Sequence, residues 1–217
     1  MSATLVQILD YGSGNLFSIS DSLSRVSPEL KVKISSTYSG RNIDGLVLPG
    51  VGSFSSAQRI LEENREDILR DLQEKKMPLL GICLGMQLMF QKSEEGQGRG
   101  LALFKGDVVR FRTEANLKIP HMGWNIVNLR RKSKDFRFCK SLKDEEWAYF
   151  VHSYYPKPED EQIVRAWTKY GTQKFPSLVE RENIFGTQFH PEKSSTAGFK
   201  LISNFAKSAI SYSKKKK

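Results

Sequence analysis

Residues 78–90, PLLGICLGMQLMF, pass without a break from an apolar run to an amphipathic run that favours helix. This pattern predicts a buried strand, a sharp turn and a helix, with Cys83 on the turn. Gly81 and Gly85 flank the cysteine two residues away on either side, as in a nucleophile elbow, where larger residues would clash. The free N–H groups at the start of the helix would favour a thiolate. The segment therefore predicts a reactive cysteine above a sheet edge, although most lone intracellular cysteines are simply buried thiols.

Two other loops carry a glycine pair directly after an apolar strand. The first is DYGSGN at residues 10–15, and the second is PGVGSF at residues 49–54. Open α/β sheets place their sites at these carboxyl edges. The N–H of Val51 or Gly52 could donate to an oxyanion together with that of Leu84, or the second loop could be a plain strand-to-helix turn. The first loop lacks the rest of a dinucleotide-binding motif.

The order of the predicted elements indicates the fold class. Strands alternate with helices in the first half of the chain, whereas strands joined by polar turns follow one another from about residue 108. We expect an α/β fold of the flavodoxin type: an open, mostly parallel sheet flanked by helices, with an antiparallel or mixed sheet added in the C-terminal half. A single domain over residues 1–217 is expected, with a disordered lysine tail at residues 213–217.

The composition excludes several classes of protein. No apolar run is long enough to cross a bilayer, and the N-terminus has no basic segment typical of a signal peptide. Two cysteines are too few for a disulfide framework, and together with three histidines and no paired Cys-x-x-Cys they do not favour a structural zinc site. We therefore expect a protein of the reducing cytoplasm. The net charge of +10 comes partly from residues 130–134 and 214–217. Without interleaved aromatic residues, this excess favours a solvated surface or an acidic protein partner over nucleic acid.

A cysteine nucleophile needs a base, and the base needs a group that orients it. His190 is the best candidate, because in an extended chain Glu192 would point the same way and reach the far ring nitrogen. His152 lies at a predicted strand end and could line the pocket, whereas His121 is expected in a surface loop. A packing role is favoured for these two histidines, and Cys139 is expected to be a partly buried, inert thiol.

Taken together, these segments resemble the triad (Cys-His-Glu) glutamine amidotransferases, and most strongly the glutaminase subunits of imidazole glycerol phosphate synthases. The resemblance runs nearly end to end and in the family's order. The segments that carry it are DYGSGN (10–15), LPGVGSF (48–54), GICLGMQ (81–87), IPHMGWN (119–125), YFVHSY (149–154) and FGTQFHPEKS (185–194).

The resemblance implies a role for each matching residue. Cys83 would attack the side-chain amide of glutamine, His190 would be the general acid and base, and Glu192 would orient it. The residues implied to hold glutamine or its oxyanion are Val51, Gly52, Leu84, Gln87, Glu94, His152, Ser153 and Tyr154. The residues implied to face a (β/α)8-barrel cyclase, which receives the ammonia and makes imidazole glycerol phosphate and AICAR in histidine biosynthesis, are Asn15, Met122, Trp124, Tyr149 and Lys193. No metal or organic cofactor is implied.

Three alternatives remain open at this level. The basic residues 130–146 and the lysine tail depart from the family pattern and could mark a paralogue that supplies ammonia for amino or amidino sugars of surface polysaccharides. A free-standing γ-glutamyl hydrolase would keep the triad but would not need the apolar residues 120–125. A non-enzymatic interaction module would not need the triad at all.

Overall fold

The computed structural model describes residues 3–12, 16–50, 52–115, 117–130 and 136–216. Its helices are α1 (Leu16–Val26), α2 (Phe54–Gln73), α3 (Leu84–Gln87) and α4 (Ser195–Lys216). Its strands are β1 (Thr4–Leu9), β2 (Leu30–Ser35), β3 (Gly45–Leu48), β4 (Leu79–Ile82), β5 (Lys92–Ser93), β6 (Gly106–Arg110), β7 (His121–Leu129), β8 (Glu145–His152), β9 (Tyr154–Pro158), β10 (Val164–Tyr170), β11 (Gln173–Arg181) and β12 (Ile184–Thr187). No helix in the described part of the chain is long and apolar enough to span a membrane.

A nine-stranded sheet forms the centre of the molecule, in the order β2-β1-β3-β4-β12-β11-β10-β7-β8. The first five strands are parallel, and their order is that of a flavodoxin-type sheet with β12 as the fifth strand. The remaining four continue the same sheet with antiparallel pairing. A small sheet of β5, β6 and β9 lies beside it. The predicted fold class is confirmed.

Helices cover both faces of the parallel half. On β3, Val47 belongs to the core that includes buried residues of α1 and α4, whereas Leu46 and Leu48 belong to the core that includes buried residues of α2. This alternation explains why the short strands are apolar at every position: both of their faces are buried.

The structure departs from the sequence predictions at several places. The helix after Cys83 is only one turn long, and β9, which pairs with β6, was not predicted. His121 is not in a surface loop but begins β7, with 2% of its surface exposed. At the C-terminus, α4 continues through Lys216, whose ammonium bonds the Ile43 carbonyl and lies 3.5 Å from Asp44, in place of a separate tail.

Candidate active site

Three neighbouring parallel strands bring the predicted site together at one edge of the sheet. β4 lies between β3 and β12, with Gly81 in register with both Leu48 and Gly186. Parallel strands end at the same edge, so the loops that follow them meet there. Cys83 follows β4 directly, and His190 follows β12 by three residues.

Cys83 occupies a strained turn that holds its side chain above the sheet. Its φ of 47° and ψ of −102° are rarely adopted by residues with a side chain. A Cβ on Gly81 would lie 2.5 Å from the Met89 methyl, and one on Gly85 would lie 2.0 Å from the Leu48 carbonyl oxygen. Both glycines are therefore needed for the turn to pack against its neighbours, as expected for a nucleophile elbow.

The thiol of Cys83 has polar contacts on two sides although only 5% of the residue is exposed. Its Sγ lies 3.7 Å from the Val151 carbonyl oxygen and accepts a hydrogen bond from Gln188 Nε2 at 3.5 Å. Gln87 Nε2 in turn lies 3.4 Å from Gln188 Oε1. Gln188 was missed in the sequence, where its position two residues before His190 on an extended segment is the only signal for it.

His190 and Glu192 form a buried ion-pairing unit. His190 Nδ1 lies 2.8 Å from Glu192 Oε1, and the two side chains are 2% and 8% exposed. Glu192 reaches the ring through a 3-10 turn, Pro191–Lys193, rather than along the extended chain that the sequence predicted, because Pro191 favours the first position of a helical turn. The ring packs so closely on Gly50 that a Cβ there would lie 2.8 Å from its Cε1.

The electrostatics of His190 suit an acid–base partner of the cysteine. Burial by itself lowers the pKa of His190, but hydrogen bonding and attraction to Cys83 and Glu192 outweigh it and raise the pKa to about 10. Glu192 occupies Nδ1, so the interaction with Cys83 involves the buried Nε2, although this atom makes no hydrogen bond of standard geometry within the described part of the chain. It is therefore left to exchange a proton with the Cys83 thiol or with a bound substrate.

A cavity of about 240 Å³ opens beside Cys83. This volume is below that of sites for drug-sized ligands and suits a small polar molecule such as a single amino acid. Its lining residues are Gly50, Gly52, Cys83, Leu84, Gln87, Glu95, Pro120, Val151, His152, Ser153 and Tyr154. The structure thus brings together six of the eight residues that the sequence assigned to substrate or oxyanion binding.

Comparison with known proteins identifies the family. The model of the class-I glutamine amidotransferases matches residues 7–209, which is most of the chain. The chain belongs to this family. Its relatives include the protein named imidazole glycerol phosphate synthase subunit HisH in Aquifex aeolicus, 45% identical over 206 residues that cover 93% of this chain and 96% of the relative. The protein of the same name in Synechocystis is 43% identical and covers 93% and 95% of the two chains.

Solved structures show the same fold at low identity. A putative GMP synthase protein of Thermoplasma acidophilum aligns with a TM-score of 0.71 and 19% identity, covering 98% of this chain and 96% of the other. The structure of PurLQS from Thermotoga maritima aligns with a TM-score of 0.69 and 16% identity, covering 98% and 99%. The resemblance to the amidotransferases and their HisH subunits is confirmed by the sequence relatives, and the fold by the structures.

The structure places Glu95 rather than Glu94 at the cavity of this amidotransferase. Glu94 is exposed, and its carboxylate accepts a hydrogen bond from the Arg110 backbone N–H at 2.7 Å. Glu95 lines the cavity, and its carboxylate accepts a longer bond, 3.3 Å, from the Phe54 N–H. Partial burial raises the pKa of Glu95, although the bond from Phe54 opposes this shift. The sequence offered two adjacent glutamates, and only the turn after β5 decides which one faces the site.

His152 lines the cavity but is fully engaged in hydrogen bonds. Its Nδ1 lies 2.8 Å from the Tyr154 carbonyl oxygen and its Nε2 lies 3.0 Å from His121 Nδ1. Burial, together with repulsion from His121 and His190, lowers the pKa of His152 to about 3, and burial lowers that of His121 to about 4. Both rings bind a proton much less readily than His190, and their ring nitrogens are already engaged in hydrogen bonds, so neither competes with His190 as the base.

Of the residues assigned to a partner interface, Met122, Trp124 and Tyr149 share one face of the β7–β8 pair. Met122 and Trp124 are 62% and 50% exposed. The Trp124 and Tyr149 rings lie 6.2 Å apart, and the Lys193 ammonium sits 5.9 Å from the Tyr149 ring. Asn15, assigned to the same interface, lies outside the described residues.

Two parts of the sequence predictions fall on residues that the structure does not describe. Val51, assigned to the oxyanion hole, lies outside the described residues, as do residues 131–135 of the basic segment.

A larger cavity of about 820 Å³ is lined by basic side chains that include Arg41 and Lys75. It borders Pro78 and Asn183, which precede β4 and β12, so it lies at the sheet edge opposite to Cys83.

Proposed function

We propose that this amidotransferase hydrolyses L-glutamine to glutamate and ammonia through a thioester on Cys83. The observation that carries the proposal is the arrangement at one sheet edge: Cys83 on a strained elbow, a buried His190 whose Nε2 has no standard hydrogen bond among the described residues, and Glu192 at 2.8 Å from the His190 Nδ1. Membership of the class-I family supports the same reaction.

The reaction follows from the roles of these three side chains. The Cys83 sulfur attacks the side-chain amide carbon while the thiol proton resides on His190, and Glu192 stabilises the imidazolium. The imidazolium gives its proton to the amide nitrogen, the C–N bond breaks, and ammonia leaves with the γ-glutamyl group bound to sulfur. Water, deprotonated by His190, then attacks the thioester carbonyl, the C–S bond breaks, and glutamate and the thiol are released.

The cavity lining supplies the remaining interactions. The N–H groups of Leu84 and Gly52 are proposed donors to the oxyanion that forms in each step. Glu95 is the proposed partner of the substrate ammonium, since it is the carboxylate in the lining. Gln87 and the His152–Tyr154 segment form the opposite wall, where Gln87 Nε2 donates to the Tyr154 carbonyl oxygen at 2.9 Å.

The ammonia is proposed to pass to a (β/α)8-barrel cyclase subunit that makes imidazole glycerol phosphate and AICAR in histidine biosynthesis. The support is identity above 40% to HisH subunits of imidazole glycerol phosphate synthase over nearly the whole chain. The exposed Met122 and Trp124 give such a partner an apolar surface next to the cavity wall at Pro120. A cytoplasmic location fits two free, buried cysteines.

The proposal is tested by glutamate release from L-glutamine, measured for the chain alone and with a cyclase barrel subunit plus its ribonucleotide ligand. Strong stimulation by the cyclase is expected, and Cys83→Ala and His190→Asn should abolish hydrolysis while still binding the cyclase. Full activity without the cyclase would instead indicate a free-standing hydrolase. Labelling of Cys83 by a glutamine-analogue electrophile without cyclase stimulation would indicate a paralogue that serves another synthase.

A further inference from the structure

We propose that His121 and Asn125 are positioning residues of the glutaminase site, acting through His152 on the cavity wall. This inference rests on the proposed function. Four groups lie in one series: Asn125 Nδ2 is 3.2 Å from His121 Nε2, His121 Nδ1 is 3.0 Å from His152 Nε2, and His152 Nδ1 is 2.8 Å from the Tyr154 carbonyl oxygen.

The direction of every hydrogen bond in the series is fixed by its last member. A carbonyl oxygen only accepts, so His152 must carry its proton on Nδ1, and its Nε2 must be an acceptor. His121 must then donate from Nδ1, which leaves its Nε2 to accept from the amide of Asn125. Both rings are buried and neutral, so one arrangement of protons satisfies all of these groups.

The series ends on a carbonyl that belongs to the cavity. The Tyr154 carbonyl oxygen also accepts the hydrogen bond from Gln87 Nε2, and both residues line the cavity with His152. Gln87 is in turn linked through Gln188 to the Cys83 sulfur. The His152 ring therefore orients the part of the wall that receives the substrate, without touching the reacting proton.

The series begins on the strand that carries the proposed partner surface. Side chains alternate along β7: those of His121 and Asn125 point inward, whereas those of Met122 and Trp124 point outward. Asn125 is further anchored by Nδ2 to the Lys169 carbonyl oxygen at 3.0 Å. A partner that shifts Met122 and Trp124 therefore shifts the first two members of the series, which gives a physical route from the outer face of β7 to the glutamine cavity.

Inactivation of Cys83 by a glutamine-analogue electrophile, 6-diazo-5-oxo-L-norleucine, separates positioning from chemistry in the chain itself. His121→Phe keeps the ring, which lies 4.8 Å from that of Phe150 and 4.0 Å from that of Tyr170, but removes both hydrogen bonds. We expect the inhibitor constant KI to rise by about tenfold, which corresponds to the loss of the one buried hydrogen bond to His152. The maximal inactivation rate should be unchanged. Alkylation of Cys83 by iodoacetamide, which does not need the wall, should keep its wild-type rate.

Tyr170→Phe is the matched control, because it alters the same aromatic cluster and removes only the bond from the Tyr170 hydroxyl to the Lys118 carbonyl oxygen. It should leave KI unchanged. An unchanged KI in His121→Phe, or an equal rise in Tyr170→Phe, would overturn the proposal. A wild-type chain whose Cys83 the glutamine analogue does not label even in the presence of the cyclase subunit would instead overturn the proposed function, so the two failures are distinguishable.

Nitrogen-15 NMR of the wild-type histidines gives a test that needs no variant. The chain has three histidines, and at neutral pH we expect one imidazolium and two neutral rings protonated on Nδ1. Both neutral rings are expected to carry the proton on the same nitrogen, so the test does not require them to be assigned individually. A proton on Nε2 of either neutral ring would contradict the series and overturn the proposal, even if the substituted proteins fold poorly.

Discussion

Replacing Glu192 by Gln probes the triad without changing its shape. The amide oxygen of Gln can still accept from His190 Nδ1, so the ring keeps its orientation, but the negative charge 2.8 Å away is lost. Both side chains are at most 8% exposed, so water cannot replace the charge. A hydrogen bond to a charged group contributes about 1.5–3 kcal/mol, and because the imidazolium forms during the reaction, kcat should fall by about 10- to 100-fold.

The pH dependence provides a second measurement on the same variant. The pKa of His190, about 10 in the native protein, should be lower in Glu192→Gln because one of the two groups that raise it is neutralised. The imidazolium is the form that protonates the leaving nitrogen, so the alkaline limb of kcat/KM should move to lower pH.

Glutamate release over a range of glutamine concentrations and pH, with the cyclase subunit present, measures both effects. KM should stay within about twofold of wild type, because Glu192 contacts His190 rather than the substrate. Glu182→Gln is a suitable control, since Glu182 is exposed and pairs with Lys76 at the opposite sheet edge. A variant that keeps more than half of kcat, or that raises KM alone, would refute the assigned role of Glu192.

Three further outcomes follow from the geometry. In steady-state kinetics, Glu95→Gln should raise the KM for glutamine by about tenfold, whereas Glu94→Gln should not, and the reverse result would restore the sequence prediction. Trp124→Ala should weaken cyclase binding by about 2 kcal/mol in titration calorimetry, whereas Ile34→Ala, exposed at the far edge of the sheet, should not; equal losses would contradict the assigned face. In urea unfolding, the free energy of unfolding of the wild type should fall from pH 6.5 to 4, because buried neutral His121, with a pKa of about 4, binds a proton less readily than the same residue in the unfolded chain. His121→Phe lacks this titrating group, so its free energy of unfolding should fall by about 3 kcal/mol less over the same range.

The parallel half of the sheet and the triad could be predicted from the sequence because their signals are local. The apolar strands end in glycine turns, and Gly81 and Gly85 flank Cys83 at the spacing that an elbow requires. His190 and Glu192 are two residues apart, so any compact backbone between them brings the carboxylate to the ring. The resemblance to the family motifs then implied roles for the remaining substrate-binding and partner-facing residues.

The features that the sequence did not reveal depend on how turns and distant segments pack. His121 looked like a loop residue because Pro120 and Gly123 surround it, but pairing of β7 with β8 buries it against His152. Glu94 and Glu95 differ only by the direction of one turn. Lys216 is held against the loop before β3, and this contact could not be seen in a run of identical lysines.

The most direct test of the proposed chemistry is the covalent intermediate itself. The chain with its cyclase subunit is mixed with L-glutamine carrying a 13C-labelled γ-carbonyl carbon, quenched in acid, digested and examined by mass spectrometry. The mechanism predicts a γ-glutamyl thioester on the peptide that contains Cys83, absent in Cys83→Ala, and none on Cys139, which is buried and whose pKa is raised by burial. Glutamate release by Cys83→Ala at the wild-type rate, or a thioester on any other residue, would contradict it.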